Sequence, residues 1–268
     1  MAEADVVAAT DTPRTRTSIA DDLRRLGLSA GDVVVLHSSV SSIGWVAGGV
    51  VAVLQAFQDV LTEAGTLVVP THTSDRTDPQ HWQAPPVPAE WVPVIRDEVP
   101  AFDPALTPTR AMGILPETFR TWPGVRRSSH PHNSFAAWGR QADEITRDHA
   151  LAWSMGPESP LDRARNLGAR VVLMGTRRCT ILHLAEVLAD VCEQQTQGAA
   201  VLVEGERRWV TFPEWVHSDG GFHDILDEHC ARHGITPGLV GNASTLVLDA
   251  STLVDEAVVH LRTHRGRP

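Results

Sequence analysis

Residues 31–70 read GDVVVLHSSVSSIGWVAGGVVAVLQAFQDVLTEAGTLVVP, and this stretch decides the fold. The apolar run VVVL, between Gly31-Asp32 and a polar HSS, is typical of a strand that is buried on both faces. Apolar residues at helical spacing follow and end at Gly65, after which TLVVP predicts a second buried strand. The order of strand, loop, helix and strand predicts parallel pairing through a right-handed crossover, with a ligand crevice at the carboxyl ends of the strands.

The rest of the chain continues this alternation of strands and helices. The patterns predict strands at residues 132–139 and 168–175, a hairpin at 200–212 and a last element at 245–264. They predict helices at residues 18–27, 110–122, 142–150, 159–168, 180–191 and 222–234. We therefore expect an α/β fold with a mixed, largely parallel central sheet flanked by helices, in a single domain over residues 1–268.

The longest irregular stretch covers residues 72–109 and is rich in proline, tryptophan and acidic residues. Loops of this length are uncommon in compact domains and are usually functional or disordered, and the aromatic and charged residues favour a functional insertion on the substrate side. Several carboxylates could converge there on a ligand with many ammonium groups. The candidates are Asp75, Asp78, Glu90, Asp97, Glu98 and Asp103, with Asp219 and Asp224 later in the chain.

The charge balance restricts the class of partner. The 268 residues include 33 acidic and 23 basic ones, which gives a formal charge of −10. This balance argues against nucleic acid and suits a cationic ligand. No apolar run reaches about 18 residues and the first residues lack a basic region followed by an apolar block, so we expect a cytoplasmic protein without a membrane partner. The three cysteines form no CxxC pair, which predicts free thiols.

The loop HSSVSSIGWVAGG at residues 37–49 joins the first strand to its helix and is rich in hydroxyls and glycines. Such a loop presents backbone N–H groups and Ser hydroxyls at a helix N-terminus, where a phosphate or pyrophosphate can bind. The loop lacks the Lys and the glycine spacing of a Walker loop or of GxGxxG. A tight connection made of small residues is the alternative interpretation.

His183 and Glu186 lie three residues apart on a predicted helix that follows a buried strand. A His that is hydrogen-bonded to a carboxylate has a fixed tautomer and a stabilised imidazolium, as a general base requires. A solvated ion pair on the helix surface is the alternative. H-x-x-E also occurs in di-iron bundles, but those need duplicated motifs in a four-helix fold.

A third candidate is the segment RSSHPHNSF, in which His130 and His132 stand next to Arg126 and Arg127. The local positive charge predicts contact with an anionic ligand. His-x-His can also chelate zinc, although spacing identifies no third ligand.

Several segments, in order, resemble the aminoglycoside 3-N-acetyltransferase (antibiotic N-acetyltransferase) family over roughly residues 15–230. They are VVLHSSVSSIGWVAGG, GTLVVPTHT, TRAMGILPETFR, RRSSHPHNSFAAWG, SPL, ARVVLMG and HLAE. The resemblance implies transfer of an acetyl group from the co-substrate acetyl-CoA to the 3-amino group of the deoxystreptamine ring of a cationic aminoglycoside antibiotic, which confers resistance. It implies no metal.

The resemblance also implies roles for individual residues. His183 is the expected base, Glu186 its orienting or substrate-binding partner, and Thr180 a hydroxyl that steadies the thioester oxyanion. The implied coenzyme-binding residues are His37, Ser38, Ser39, Ser41, Gly44, Val46, Arg110, Met112, Gly113 and Ser134. We also expect His72, Asp75 and Asp219, together with Glu186, to bind the substrate.

One position departs from the family pattern, because Cys179 stands where such proteins usually have Asn before the catalytic helix. Three alternatives stay open. One is acetylation of a different small-molecule amine, and another is a protein that binds the antibiotic without reaction. The third is a zinc-dependent amide hydrolase that uses His72, His130, His132 or His183 with Asp75. The sequence defines neither the range of amines accepted nor the oligomeric state.

Overall fold

A mixed seven-stranded sheet forms the centre of the protein in the computed structural model, which describes residues 3–265. The strands are β1 (Val33–Ser38), β2 (Thr66–Pro70), β3 (Arg126–Arg127), β4 (Phe135–Gly139), β5 (Arg170–Met174), β6 (Glu193–Val203), β7 (Glu206–Val216), β8 (Gly238–Val240) and β9 (Ala243–Asp249). The order in the sheet is β3-β4-β2-β1-β5-β9-β8, and β6 and β7 form a separate two-stranded sheet.

The α/β class is confirmed, but the expectation of a largely parallel sheet is wrong. Strand β1 pairs in parallel with β2 on one side and with β5 on the other. The outer pairings, β2 with β4, β3 with β4, β5 with β9 and β8 with β9, are all antiparallel. Parallel pairing requires a crossover connection, whereas β8 and β9 are joined by a tight turn at Gly241-Asn242 and therefore run in opposite directions.

Helices cover both faces of this sheet. They are α1 (Glu3–Ala8), α2 (Arg16–Arg25), α3 (Gly49–Leu61), α4 (Trp91–Glu98), α5 (Ile114–Arg120), α6 (Ala142–Thr146), α7 (Pro160–Asn166), α8 (Ile181–Ala189), α9 (Phe222–His233) and α10 (Ala250–Arg265). Between residues 3 and 265, every helix is too short or too polar to cross a bilayer.

Alternation along the strands divides the core between the two faces. In β1, Val33 and Val35 belong to a cluster that includes apolar residues of α8, α9 and α10. Val34 and Leu36 belong to a second cluster that includes residues of α2, α3 and α5. Because successive side chains of a strand point to opposite faces, a run of consecutive apolar residues is what a strand covered on both faces requires.

Several predicted elements differ in extent from the structure, and the last one, 245–264, covers both the end of β9 and most of α10. The predicted helix 110–122 starts only at Ile114, because Ala111 (φ 57°) and Gly113 (φ 89°) have left-handed backbone conformations that interrupt a helix. The hairpin is confirmed but extends to 193–216. The irregular stretch 72–109 contains the helix α4 and two short 3₁₀ turns.

Three histidines are buried beside the second sheet and are held by backbone groups. His130 Nδ1 accepts hydrogen bonds from the N–H groups of His132 (3.1 Å) and Asn133 (3.0 Å), while its Nε2 lies 3.0 Å from the Leu151 carbonyl oxygen. Burial lowers the pKa of His132 and of His149 to about 4, and it holds the pKa of His130 well below its usual value. All three imidazoles are therefore neutral in the folded protein at pH 7.

We expect the free energy of unfolding to fall as the pH is lowered from 7 to 5. The unfolded imidazoles titrate near pH 6.5, so in this range the unfolded chain binds protons that the folded chain does not. The stabilisation is complete above about pH 6.5 and is lost as the pH falls toward the folded pKa values near 4. Each histidine should contribute about 1–2 kcal/mol to this loss.

Urea unfolding at pH values between 5 and 8 measures this slope. His149→Gln should make the slope shallower, whereas His264→Gln, a change at an exposed position on α10, should leave it unchanged. A free energy of unfolding that does not change with pH in the wild-type protein would contradict the assignment.

Candidate active site

The carboxyl ends of the three parallel strands β2, β1 and β5 meet at one edge of the sheet. Strand β1 carries His37 near its end and continues into the loop of residues 37–49, here called the serine loop. Strand β2 ends two residues before His72. Strand β5 leads through Gly175 to Thr180, which begins α8. The Thr180 N–H donates a hydrogen bond of 3.3 Å to His37 Nε2, so these segments are in direct contact.

The serine loop lines one cavity of about 510 Å³, here called the serine-loop cavity. Ser39 Oγ and Ser41 Oγ lie 3.5 Å apart at its wall. Gly175 also borders it and has φ 66°, and a Cβ atom there would clash with Ser42 Oγ, which explains a glycine at the end of β5. The predicted coenzyme residues that line this cavity are His37, Ser38, Ser39, Ser41, Met112 and Gly113.

A second cavity of about 420 Å³, here called the His183 cavity, adjoins the first. His37, Met112 and Arg178 line both cavities, so the two spaces share a wall. The His183 cavity is also lined by His72, Asn133, Met155, Arg177, Cys179, Thr180, His183, His217, Asp219, Phe222 and His223.

The carboxylate of Glu186 connects the parts of this site. His183 Nδ1 lies 2.7 Å from Glu186 Oε2, and His217 Nδ1 lies 3.4 Å from the same oxygen. Arg265 Nη1 donates to Glu186 Oε1 at 2.6 Å, and the Ser218 N–H donates to that oxygen at 3.3 Å. The side chain of Glu186 is only 1% exposed, so these partners compensate a buried charge.

The charge state of Glu186 follows from these contacts. Burial alone would raise its pKa, but hydrogen bonds from His183, His217 and Arg265 lower the pKa of Glu186 to about 2. Glu186 is therefore ionised at neutral pH. It orients His183 with Nδ1–H toward the carboxylate, which leaves Nε2 as the nitrogen that can accept a proton.

The free nitrogen of His183 faces Asp219. His183 Nε2 lies 3.4 Å from Asp219 Oδ1, and the Asp219 side chain is 79% exposed. The Phe222 ring packs beside the imidazole, with ring centroids 5.1 Å apart. An amine that enters between His183 and Asp219 would meet a base and an anion at the same position.

Two other histidines of the site are neutral at pH 7 and are only weak bases. Burial and the nearby charge of His183 lower the pKa of His37 to about 4. Burial, with the charges of His183 and other histidines, lowers the pKa of His72 to about 3. His72 Nε2 is buried without a hydrogen-bond partner among the described residues, at the wall of the His183 cavity.

Several predicted site residues lie outside both cavities. Ser134 is fully buried, and its hydroxyl donates to the Thr71 carbonyl oxygen at 2.8 Å. Arg110 and Asp75 line a third space, beside the irregular stretch. Gly44 and Val46 pack in the later part of the serine loop, where Gly44 approaches Thr10. The sequence-based coenzyme set is thus only partly brought together.

The histidines of the proposed zinc hydrolase do not converge. Both ring nitrogens of His130 bond backbone groups, and His132 Nε2 lies between the carbonyl oxygens of Arg76 and Gly198. His72 and His183 line the His183 cavity, whereas Asp75 lies in the third space.

Sequence analysis missed His217, Arg265 and Phe222. His217 follows β7, Phe222 begins α9, and Arg265 ends α10, so each comes from a separate segment. No local spacing relates them to Glu186.

Comparison with known proteins relates this site to enzymes. The family model of aminoglycoside 3-N-acetyltransferases matches residues 35–262. The aminoglycoside N(3')-acetyltransferase-like protein YokD, derived from the SPbeta prophage in Bacillus subtilis strain 168, is 41% identical, over 94% of each chain. Aminoglycoside N(3)-acetyltransferase VII of Streptomyces paromomycinus is 37% identical, over 100% of this chain and 98% of its own.

Solved structures agree with these relationships. The crystal structure of YokD has a TM-score of 0.95, with 39% identity and 98% of each chain covered. AAC-IIIb, solved as a binary complex with CoASH, has a TM-score of 0.86 with 31% identity, over 96% of this chain and 99% of its own. AAC-VIa bound to sisomicin has a TM-score of 0.85 with 28% identity, over 96% of this chain and 100% of its own.

With these relatives, the chain is an acyltransferase, and its fold is a mixed α/β fold. The chain belongs to the aminoglycoside 3-N-acetyltransferase family, which confirms the resemblance seen in the sequence.

Arg265→Met keeps the apolar part of the side chain and removes the guanidinium that contacts Glu186. We expect a loss of about 1–3 kcal/mol in the free energy of unfolding, because a buried carboxylate loses one of its charged partners. Turnover should also fall, since Glu186 would hold His183 less firmly. Arg262→Met is the matched control, because Arg262 donates to the Leu188 carbonyl oxygen and not to a carboxylate. Equal losses in both variants would contradict a special role for Arg265.

Proposed function

We propose that this protein transfers the acetyl group of acetyl-CoA to the 3-amino group of the deoxystreptamine ring of aminoglycoside antibiotics, with His183 as the general base. The observation that carries the proposal is the pairing of His183 Nδ1 with the ionised Glu186 at 2.7 Å, at the wall of a cavity that adjoins the serine-loop cavity. Each of the two substrates then has its own space, and the shared wall is where they meet.

The serine-loop cavity suits the coenzyme. Its wall offers the hydroxyls of Ser38, Ser39 and Ser41, and Arg178 supplies a cation at the border of the two cavities. Hydroxyls and a guanidinium are suitable partners for phosphate oxygens. AAC-IIIb, a relative of this chain, was solved with CoASH, which supports a coenzyme site of this kind.

The His183 cavity suits a cationic acceptor. Asp219 provides negative charge beside His183 Nε2, the ionised Glu186 lies at Nδ1 of the same ring, and the chain as a whole has a formal charge of −10. An acceptor with several ammonium groups is attracted by such a site. The complex of AAC-VIa with sisomicin supports an aminoglycoside as the acceptor class.

The reaction we propose is a direct transfer within a ternary complex. The lone pair of the acceptor amine forms the new N–C bond at the thioester carbonyl while His183 Nε2 takes a proton from that nitrogen. The C–S bond then breaks and the imidazolium returns the proton to the sulfur, so that CoA leaves as the thiol. The imidazolium that forms is stabilised by Glu186 on one side and by Asp219 on the other. The Thr180 hydroxyl, which makes no capping hydrogen bond in α8, is available to the carbonyl oxygen as negative charge develops there.

Cys179 is not expected to form an acetyl-enzyme. Burial raises the pKa of the Cys179 thiol to about 12, so the thiolate needed for attack is scarce at neutral pH. This supports transfer without a covalent intermediate. We also propose that the whole chain acts as one catalytic unit, and that it works in the cytoplasm, where acetyl-CoA is available.

The role of His183 is tested by His183→Ala. General base catalysis is worth about 10²–10⁴-fold, so turnover should fall by a factor in that range. Binding of CoA, measured by calorimetry, should stay the same, because the hydroxyls of the serine-loop cavity are unchanged. Glu186→Gln should lower turnover less, since it keeps the hydrogen-bonding shape and removes the charge. Near-normal turnover in folded His183→Ala would sink the assignment.

The substrate is tested by thiol release from acetyl-CoA across a panel of 4,5-linked and 4,6-linked aminoglycosides and apramycin. We expect thiol release. We also expect mass spectrometry of the product to show one acetyl group on the 3-amino position. Aminoglycoside binding without thiol release would favour an antibiotic-sequestering protein. If no aminoglycoside of the panel causes thiol release while CoA still binds, a different small-molecule amine is the acceptor.

A further inference from the structure

A second histidine–carboxylate cluster lies between α9 and α10. His229 and His233 are one helical turn apart on α9, and Glu256 faces them from α10. His229 Nδ1 lies 2.7 Å from Glu256 Oε2, and His233 Nε2 lies 2.9 Å from Glu256 Oε1. None of these residues lines the serine-loop or the His183 cavity.

The donor atoms of this cluster are close enough for one ion. One nitrogen from each imidazole and one oxygen of the Glu256 carboxylate lie within 4.8 Å of one another. Zinc bonds to nitrogen and oxygen measure about 2.0–2.2 Å, which separates tetrahedral ligand atoms by roughly 3.3–3.5 Å. Each imidazole nitrogen would therefore move by about 0.4–0.8 Å from the carboxylate oxygen that it contacts in order to admit an ion.

The donor types and their spacing are those of a zinc site. Two histidines at i and i+4 on one helix present their rings on the same face, the spacing used by helical zinc sites. The Glu256 carboxylate turns one oxygen toward each imidazole, so both of its oxygens face the position of an ion. Imidazole with carboxylate favours zinc over calcium or magnesium.

The surroundings leave room for the ion and for solvent. A cavity of about 400 Å³ lies at this helix pair, lined by His229 and Glu256 among others. His229 is buried (2% exposed), which gives a fixed ligand, while His233 (37% exposed) is reached from solvent. Arg232 lies 3.6 Å from Glu256, but its side chain is largely exposed and is free to turn toward water.

We propose that His229, His233 and Glu256 bind one zinc-class divalent ion, with water as the remaining ligand. The ion would replace the two hydrogen bonds to Glu256 and tie α9 to α10. Phe222 at the start of α9 packs on His183, and Arg265 at the end of α10 bonds Glu186. The ion is thus a structural brace for the helix pair that supports the base, and it takes no part in acetyl transfer.

The active-site cluster of His183, Glu186 and His217 is the competing location for an ion between residues 3 and 265. There, Arg265 already donates to Glu186 at 2.6 Å, so an ion would face a close cation. An ion at that position would also occupy the proton-accepting region and inhibit turnover. Zinc binding and zinc inhibition therefore distinguish the two locations.

The test uses untagged protein stripped with a chelator and then titrated with zinc chloride, followed by calorimetry and by thermal unfolding. We expect the wild-type protein to bind one equivalent, and its midpoint of unfolding to rise by about 5 °C at 100 times the dissociation constant. His233→Ala and Glu256→Gln should lose most of this binding and of the rise. His81→Ala, a histidine outside the cluster, should keep both.

Acetyl transfer gives the second readout. His233→Ala should turn over like the wild-type protein without added zinc, because the residue touches neither cavity. Binding that persists in His233→Ala but disappears in His183→Ala would overturn the proposal, as would an absence of binding in the wild-type protein. Zinc that binds to His233→Ala and to Glu256→Gln as tightly as to the wild-type protein would overturn it too.

Discussion

The parallel pairing of β1 with both β2 and β5 is the constraint on which the rest of the site depends. Because all three strands run in the same direction, their carboxyl ends open at one edge, and the chain leaves that edge through the serine loop, His72 and α8. Each strand is mostly apolar and buried, and polar residues begin where it ends. The sheet therefore brings together groups that are more than a hundred residues apart, such as His37 and Thr180, and it does so with rigid elements.

Glu186 makes a second demand on the fold. An ionised carboxylate in a site that is almost closed to water has a large desolvation cost unless several donors surround it. The protein provides two imidazoles, a guanidinium and one backbone N–H, and they come from α8, the segment after β7 and the end of α10. The position of the Glu186 carboxylate, and with it the orientation of His183, therefore depends on contacts from the C-terminal part of the chain. Orientation of the base is in this sense a property of the whole helical layer that covers one face of the sheet.

The elements that the sequence predicted correctly are those whose signal is local. The strand, helix and strand of residues 31–70 carry their own periodicity, and His183 with Glu186 shows a spacing that any helix brings to one face. Strand direction in the outer sheet depends on the path of the connections, which periodicity does not contain, and the expected parallel sheet was wrong for that reason. His217 and Arg265 are 31 and 79 residues away from Glu186, so nothing in the neighbourhood of either residue could point to it. The same limit applies to Ser134, whose motif predicted the coenzyme but whose hydroxyl bonds the backbone.

The environment of each histidine decides what it can do, although all of them share one unperturbed pKa near 6.5. His37 and His72 are buried at the same edge of the sheet as His183, and burial lowers the pKa of His37 to about 4 and that of His72 to about 3, so both stay neutral at pH 7. His183 has the ionised Glu186 carboxylate fixed at Nδ1, and that contact orients the ring while Nε2 remains at a cavity wall. A base that must take a proton and then carry a positive charge needs this pairing, and burial alone would prevent it. The contact with Glu186 thus distinguishes the reactive His183 from the neutral His37 and His72, near the wall that the two cavities share.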